Sequence, residues 1–187
     1  EKAVAAYDAV PGDAPPELRG DALYGACFAL HSLGKHDDSI ARAKAVLALQ
    51  PKHRLADQAA FAVAECQFAL QKFEPAEQGY TALAEVPALR DKAAWKLAWC
   101  RYLRGDKAAA AVRFATITKA DGSPFAEEAL AMLSLSLLES GKADAALESA
   151  DRYRARFRDG AFLDRTERVA ARVLRAKGDL PAAQKRL

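Results

Sequence analysis

The sequence contains few cysteines, few aromatic residues and no long apolar stretch. Of its 187 residues only three are cysteine and one is methionine, and aromatic residues make up 8%. No apolar run approaches the roughly 18 to 20 residues that a membrane-spanning helix needs, so the sequence predicts no such helix. A hydrophobic fraction of 51% with a net charge of only +3 excludes an intrinsically disordered chain.

The three cysteines, Cys27, Cys66 and Cys100, do not form a recognisable metal or redox motif. They include no Cys-x-x-Cys pair, and no cluster of histidines stands beside them in the sequence. We therefore expect small buried side chains at these positions. The sequence predicts no metal site and no cofactor.

Sequence motifs that carry catalytic chemistry are also absent. The sequence has no glycine-rich phosphate loop and no His-Glu-x-x-His motif, and its histidines, His31, His36 and His53, suggest no catalytic triad. Glu65 stands among aromatic residues, but a single carboxylate does not supply an acid and a base. We therefore expect a protein that is not an enzyme.

The main feature of the sequence is a repeat of about 36 residues. Short turn signals recur at five places, and their central residues are Gly34, Gln71, Gly105, Gly141 and Gly178. Small residues stand seven positions before each turn, at Cys27, Ala64, Ala98, Ser134 and Ala171. Others stand five positions after it, at Ser39, Ala76, Ala110, Ala146 and Ala183. Small residues on both sides of a turn let two antiparallel helices pack closely.

Both sides of each turn are predicted to be helical. Apolar residues recur at spacings of three and four, and good helix formers dominate the composition. No alternating β-branched run remains, so we expect an all-α fold. The predicted units are a half repeat at 1–10, repeats at 18–50, 53–86, 89–120 and 124–158, and a partial repeat at 161–187. We expect Ser123 to be the N-cap of the helix that follows it, and the chain to be a fragment of a longer protein.

This pattern resembles the tetratricopeptide repeat family, whose helix-turn-helix units have a period of about 34 residues. The best matches are residues 94–114 and 34–51, although the large aromatic residue that the family has eleven positions before the turn is missing. The resemblance implies a single array that forms a right-handed α-α superhelix. Residues 153–160 are similar to helix endings in tetratricopeptide proteins of the bacterial cell envelope. The bacterial cytoplasm and the periplasm or cell envelope both stay open as locations.

A stripe on each first helix, three, six and ten residues before the turn, carries the functional prediction. These spacings place the residues on one helix face. The stripe consists of Tyr24, Phe28 and His31; Phe61, Glu65 and Phe68; Trp95, Trp99 and Tyr102; Ala131, Leu135 and Leu138; and Arg168, Arg172 and Arg175. The resemblance implies that this face lines the concave surface of the superhelix, where the family binds peptides.

The predicted function is that of a protein interaction scaffold. Its implied ligand is a peptide or helix of a partner protein, with apolar residues for the aromatic part of the stripe and acidic residues for the arginines. Burial of the stripe within a longer protein and self-association stay open as alternatives. Residues 94–187 contain 18 basic and 12 acidic side chains, so binding of a nucleic acid or another anion through the basic C-terminal region is a further alternative.

Overall fold

The computed structural model describes residues 1–120 and 122–187, and all regular secondary structure in these ranges is helical. The all-α prediction is therefore confirmed. None of the described helices is both long and apolar enough to cross a lipid bilayer. In chain order the helices are α1 (Lys2–Asp8), α2 (Pro16–Ser32), α3 (His36–Leu47), α4 (Ala56–Ala69), α5 (Phe73–Ala82), α6 (Arg90–Leu103), α7 (Lys107–Lys119), α8 (Ala126–Glu139), α9 (Ala143–Arg156), α10 (Leu163–Ala176) and α11 (Leu180–Gln184).

Each of the five predicted turns joins two helices through a residue with a left-handed backbone. The four glycines at turn centres have φ between 73° and 90°, and Gln71 has φ of 59°. In every turn the next residue donates its backbone N–H to a carbonyl five positions earlier, as Lys35 does to Leu30 at 2.9 Å. This bond closes a Schellman-type helix end. The turn positions read from the sequence are thus confirmed.

The small residues that flank each turn are buried between the paired helices. All ten have at most 6% of their surface exposed. In the first pair, Cys27 Sγ lies 3.3 Å from Ser39 Oγ. In the second pair, a Cβ atom added to Gly79 would lie only 2.9 Å from Cβ of Ala64. Larger side chains would hold these helices apart, which confirms the close packing that the repeat predicts.

The helices form two compact units, Glu1–Arg90 (unit 1) and Asp91–Leu187 (unit 2). In unit 1 each helix from α1 to α5 packs against the next, and α2 also contacts α4. In unit 2 the helices from α7 to α11 pack in the same successive order, and α8 also contacts α10. The first helices of neighbouring pairs therefore lie side by side within a unit. That all pairs form one continuous array stays a prediction.

A buried polar junction joins α8, α9 and the start of α10. The hydroxyl of Tyr153, which is fully buried, donates to Glu127 Oε1 at 2.7 Å and accepts from the Phe162 backbone N–H at 2.9 Å. Glu127 Oε1 also accepts from the Ala161 backbone N–H at 2.7 Å. Three helices thus share one hydrogen-bonded centre.

The predicted role of Ser123 as an N-cap is wrong. Helix α8 begins at Ala126 and is preceded by Phe125 at the cap position. The Ala126 backbone N–H donates to the Ser123 carbonyl at 3.1 Å, so a short turn precedes the helix. In that turn the Ser123 hydroxyl accepts from the Phe125 backbone N–H at 3.4 Å and does not reach the helix amides.

Candidate functional site

Three aromatic residues of α6, Trp95, Trp99 and Tyr102, form what we call the α6 aromatic patch. Their rings meet edge to face, with centroids 6.5 Å apart for the two indoles and 5.6 Å apart for Trp99 and Tyr102. On the core side, the ring of Trp99 packs against Phe114 with centroids 6.1 Å apart, and the ring of Trp95 stacks on Phe125 with centroids 4.9 Å apart. All three patch residues are half-buried. The core therefore holds the rings in place while part of each stays accessible.

The polar edges of this patch face a carboxylate and two cations. The indole nitrogens of Trp95 and Trp99 are buried. They lie beside Glu128 of α8. Burial raises the pKa of this carboxyl group, and Arg165, both indole N–H groups and Lys96 oppose that rise. Groups from α6, α8 and α10 thus converge at one place in unit 2.

Tyr102, at the other end of the patch, is held by Lys107 of α7. The ammonium group lies 3.3 Å from the centroid of the tyrosine ring and donates to the Tyr102 carbonyl at 2.9 Å. It also lies 3.3 Å from the Glu139 carboxylate. Burial and a hydrogen bond to Glu139 raise the pKa of Tyr102 to about 12. The hydroxyl is therefore neutral at physiological pH.

The α8 part of the stripe contributes mainly to packing. Ala131 is fully buried, and Leu135 and Leu138 are half-buried. Both leucines pack against a buried cluster that includes Val169 and Val173 of α10. This part of the stripe connects α8 to α10 more than it offers surface to a ligand.

The three arginines of α10, Arg168, Arg172 and Arg175, line a groove of about 400 Å³ beside α11. We call it the α10 arginine groove. All three side chains are exposed, and none has an ion-pair partner among residues 1–120 and 122–187. Nearby Arg154 and Arg186, in contrast, both pair with a carboxylate. The groove is otherwise mostly apolar, lined by Ala171, Leu180, Ala183 and Leu187.

The first part of the stripe in unit 1 includes an exposed aromatic ring. Phe28 has 67% of its surface exposed, while Tyr24 and His31 are half-buried. Burial raises the pKa of Tyr24. His31 Nδ1 lies 3.3 Å from Cys66 Sγ of α4.

The second part of the unit 1 stripe is more enclosed than expected. Phe61 is only 6% exposed because its ring packs against Tyr80 at 5.4 Å, so it offers no surface to a ligand. Glu65 accepts a hydrogen bond from the Tyr80 hydroxyl. Phe68 is half-buried and packs edge to face against Phe73 at 5.5 Å.

The sequence-based prediction missed Glu128 and Arg165, which lie at the polar edge of the α6 aromatic patch. Both stand thirteen residues before their turns, at Gly141 and Gly178. This position lies three residues before the first residue of the stripe, and a spacing of three places both residues on the same helix face. The signal was therefore present in the repeat, one turn of helix beyond the predicted stripe.

Comparison with known proteins identifies the fold. No protein-family model and no curated protein matches the sequence. Among solved structures, MamA is 16% identical with a TM-score of 0.71, over 86% of this chain and 89% of that one. A putative kinesin light chain of Podosopora anserina with TPR-like repeats is 15% identical with a TM-score of 0.67, over 92% and 93% of the chains.

A third solved structure, a Rap protein complexed with Competence and Sporulation Factor, is 19% identical with a TM-score of 0.61. The match covers 98% of this chain and 56% of the Rap protein. The five turns, the buried small residues and these similarities agree with one another. The chain has the fold of the tetratricopeptide-like helical repeat proteins.

Proposed function

We propose that this chain is a protein interaction scaffold and that the first-helix face of unit 2 binds a peptide or helix of a partner protein. The observation that carries the proposal is the α6 aromatic patch, whose three half-buried rings are packed on the core while part of each stays accessible. Apolar side chains of a bound peptide would cover the accessible parts of the rings, and a few aromatic residues of this kind usually carry most of the binding energy at an interface.

The α10 arginine groove supplies the second half of the proposed site. Three guanidinium groups that have no carboxylate partner among residues 1–120 and 122–187 would bind acidic side chains through forked hydrogen bonds. Neighbouring helices pack about 8–10 Å apart, so α6 and α10, with α8 between them, would lie roughly 20 Å apart. An extended peptide covers that distance with about six residues. The proposed ligand thus has apolar residues at one end and acidic residues about six positions away.

In unit 1 the proposed contact residues are Tyr24, Phe28 and Phe68. Phe28 provides most of the accessible ring surface. His31 is not among them because it lies beside Cys66, and Glu65 already accepts a hydrogen bond from Tyr80. A solved relative in fold, the Rap protein, was crystallised with Competence and Sporulation Factor, which supports a binding role for such helical repeats. The proposal assigns no chemical step to the chain.

Nucleic-acid binding through the basic C-terminal region is less well supported. The cations Arg154 and Arg186 lie in a groove that also contains the carboxylates of Asp151 and Glu167. Arg186 forms ion pairs with both carboxylates, and Arg154 lies 3.8 Å from Glu167. A phosphate backbone would have to compete with these pairs.

Selection of peptides from a random phage-displayed library on the immobilised full chain tests the proposal. We expect wild-type protein to enrich sequences with aromatic or aliphatic residues followed by Asp or Glu. The variant Arg168→Glu/Arg172→Glu/Arg175→Glu should lose the acidic preference. The matched control Lys2→Glu/Lys35→Glu/Lys44→Glu makes the same charge change at exposed positions of unit 1 and should keep it.

Two results would overturn the proposal. One is that wild-type protein enriches no peptide or that the arginine variant enriches the same peptides as wild type. The other is that the chain binds a random-sequence oligonucleotide more tightly than any selected peptide, with an affinity that falls steeply with salt. The second result would favour the nucleic-acid alternative.

A further inference from the structure

Two histidines and one cysteine from three successive helices meet in unit 1. His31 lies in the last turn of α2, His36 is the first residue of α3, and Cys66 lies in α4. The possible ligand atoms of the three residues all lie within 4.8 Å of one another. His31 Nδ1 and Cys66 Sγ are 3.3 Å apart, and the two imidazole rings have centroids 5.1 Å apart.

The helices and not a flexible loop hold these three side chains together. The left-handed turn at Gly34 brings the start of α3 beside the end of α2, which places His36 next to His31. Helix α4 packs against both α2 and α3, which brings Cys66 to the same point. All three residues therefore belong to helices that pack against one another.

We propose that His31, His36 and Cys66 bind a single Zn²⁺ ion, with the fourth position taken by water or an external ligand. Two imidazoles and a thiolate are typical ligands of Zn²⁺, whereas Mg²⁺ and Ca²⁺ prefer oxygen ligands. In a tetrahedral site with Zn–N near 2.0 Å and Zn–S near 2.3 Å, ligand atoms lie about 3.3–3.6 Å apart. The His31–Cys66 distance of 3.3 Å already lies in this range, and the other ligand-atom distances, all within 4.8 Å, would shorten on binding.

An unsatisfied nitrogen supports the proposal independently of these distances. His36 Nδ1 is buried and makes no hydrogen bond within the described ranges. A buried nitrogen without a hydrogen-bond partner is energetically unfavourable. We assign this nitrogen to the metal, because coordination would give it the partner that the described residues do not.

Groups around Cys66 hold the sulfur and favour a cation. The Ser39 hydroxyl lies 3.3 Å from Cys66 Sγ and donates to the Cys27 carbonyl at 2.8 Å, which anchors it between the two cysteines. The carboxylates of Asp37 and Glu65 are close enough to act electrostatically on Cys66. Negative charge beside the sulfur favours a bound cation.

Titration of the reduced full chain with Co²⁺ tests the site, because cobalt reports thiolate ligation and tetrahedral geometry in its absorption spectrum. We expect one equivalent of Co²⁺ to bind with intense visible bands and a thiolate-to-cobalt band in the near ultraviolet, and Zn²⁺ to displace it. Cys66→Ala should remove the thiolate band. His36→Gln should weaken binding by about tenfold or more.

Two cysteine variants are the controls. Cys27→Ala removes a buried thiol beside the site and Cys100→Ala removes one from unit 2, and both should keep the cobalt spectrum. Circular dichroism checks that each variant is folded. If Cys66→Ala unfolds, His36→Gln still tests the site, because His36 is only half-buried. Failure to bind one equivalent of Co²⁺, or a spectrum that His36→Gln leaves unchanged, would overturn the site. Peptide selection does not depend on this result, so the two proposals fail separately.

Discussion

Gln71 is the exception among the five turn centres and gives a precise test of how the repeat is built. The other four centres are glycine, whereas Gln71 adopts a left-handed φ of 59° with a side chain attached. This conformation costs an L-residue roughly 1–2 kcal/mol. The turn is otherwise like the rest, since the Lys72 backbone N–H donates to the Gln67 carbonyl at 2.8 Å. Replacement by glycine should therefore stabilise the chain.

The expected magnitude comes from the backbone alone. A Cβ atom added to any of the four turn glycines would meet no atom within 4 Å, so the side chain at this position contacts little. Glycine also gives the unfolded chain more freedom, which offsets about 0.4–1 kcal/mol of the gain. We expect Gln71→Gly to raise the free energy of unfolding by about 0.5–1 kcal/mol, and Gly34→Gln to lower it by a similar amount.

Urea unfolding followed by far-ultraviolet circular dichroism, with a metal chelator present, measures both changes. Gly12→Gln is the matched control in unit 1, because Gly12 also has nothing within 4 Å but lacks a left-handed φ. This control should leave stability unchanged or raise it slightly. A decrease in stability for Gln71→Gly, or equal effects of Gly34→Gln and Gly12→Gln, would refute the backbone argument.

Three further predictions concern the core of unit 2. Tyr153→Phe should lower the free energy of unfolding by about 1–3 kcal/mol in urea, because the buried Phe162 N–H loses its acceptor and Glu127 loses a donor. Burial and the bond to Glu127 raise the pKa of Tyr153 from 10.0 to about 12. The stability that the neutral phenol contributes is thus fully present below pH 10 and lost as pH rises through 12. The difference in free energy of unfolding between wild type and Tyr153→Phe should therefore shrink across that window. A constant difference would contradict this. Ala98→Leu should lower the free energy of unfolding by about 1–3 kcal/mol, because the larger side chain overpacks a buried site. Ala108→Leu, at an exposed site of α7, should change it little. Equal decreases for the two variants would contradict close packing at Ala98.

The turns and helix pairs were predictable from the sequence because both depend on local chemistry that repeats. A left-handed residue ends each first helix, and a small residue on either side lets the pair close. In a repeat protein each helix contacts mainly its neighbours, so a local pattern determines much of the fold.

The details of the site depend on contacts between repeats, which a single-repeat pattern does not contain. Phe61 is buried because Tyr80 of the following helix covers it, although its position in the repeat matches that of half-buried Trp95. His36 and Cys66 stand 30 positions apart and meet only because α4 packs against α3. Spacing rules for metal motifs, which assume ligands close in sequence, overlook such a cluster.

Tryptophan fluorescence during a peptide titration tests the proposed binding face most directly. The chain has only two tryptophans, and both lie in the α6 aromatic patch. A selected peptide with apolar and acidic ends should change their emission in a saturable way. Arg168→Glu/Arg172→Glu/Arg175→Glu should weaken its binding on the order of tenfold or more, since one hydrogen bond between charged groups contributes about 1.5–3 kcal/mol. Binding of that peptide, detected by the anisotropy of a dye attached to it, without any change in tryptophan emission would contradict binding at this face.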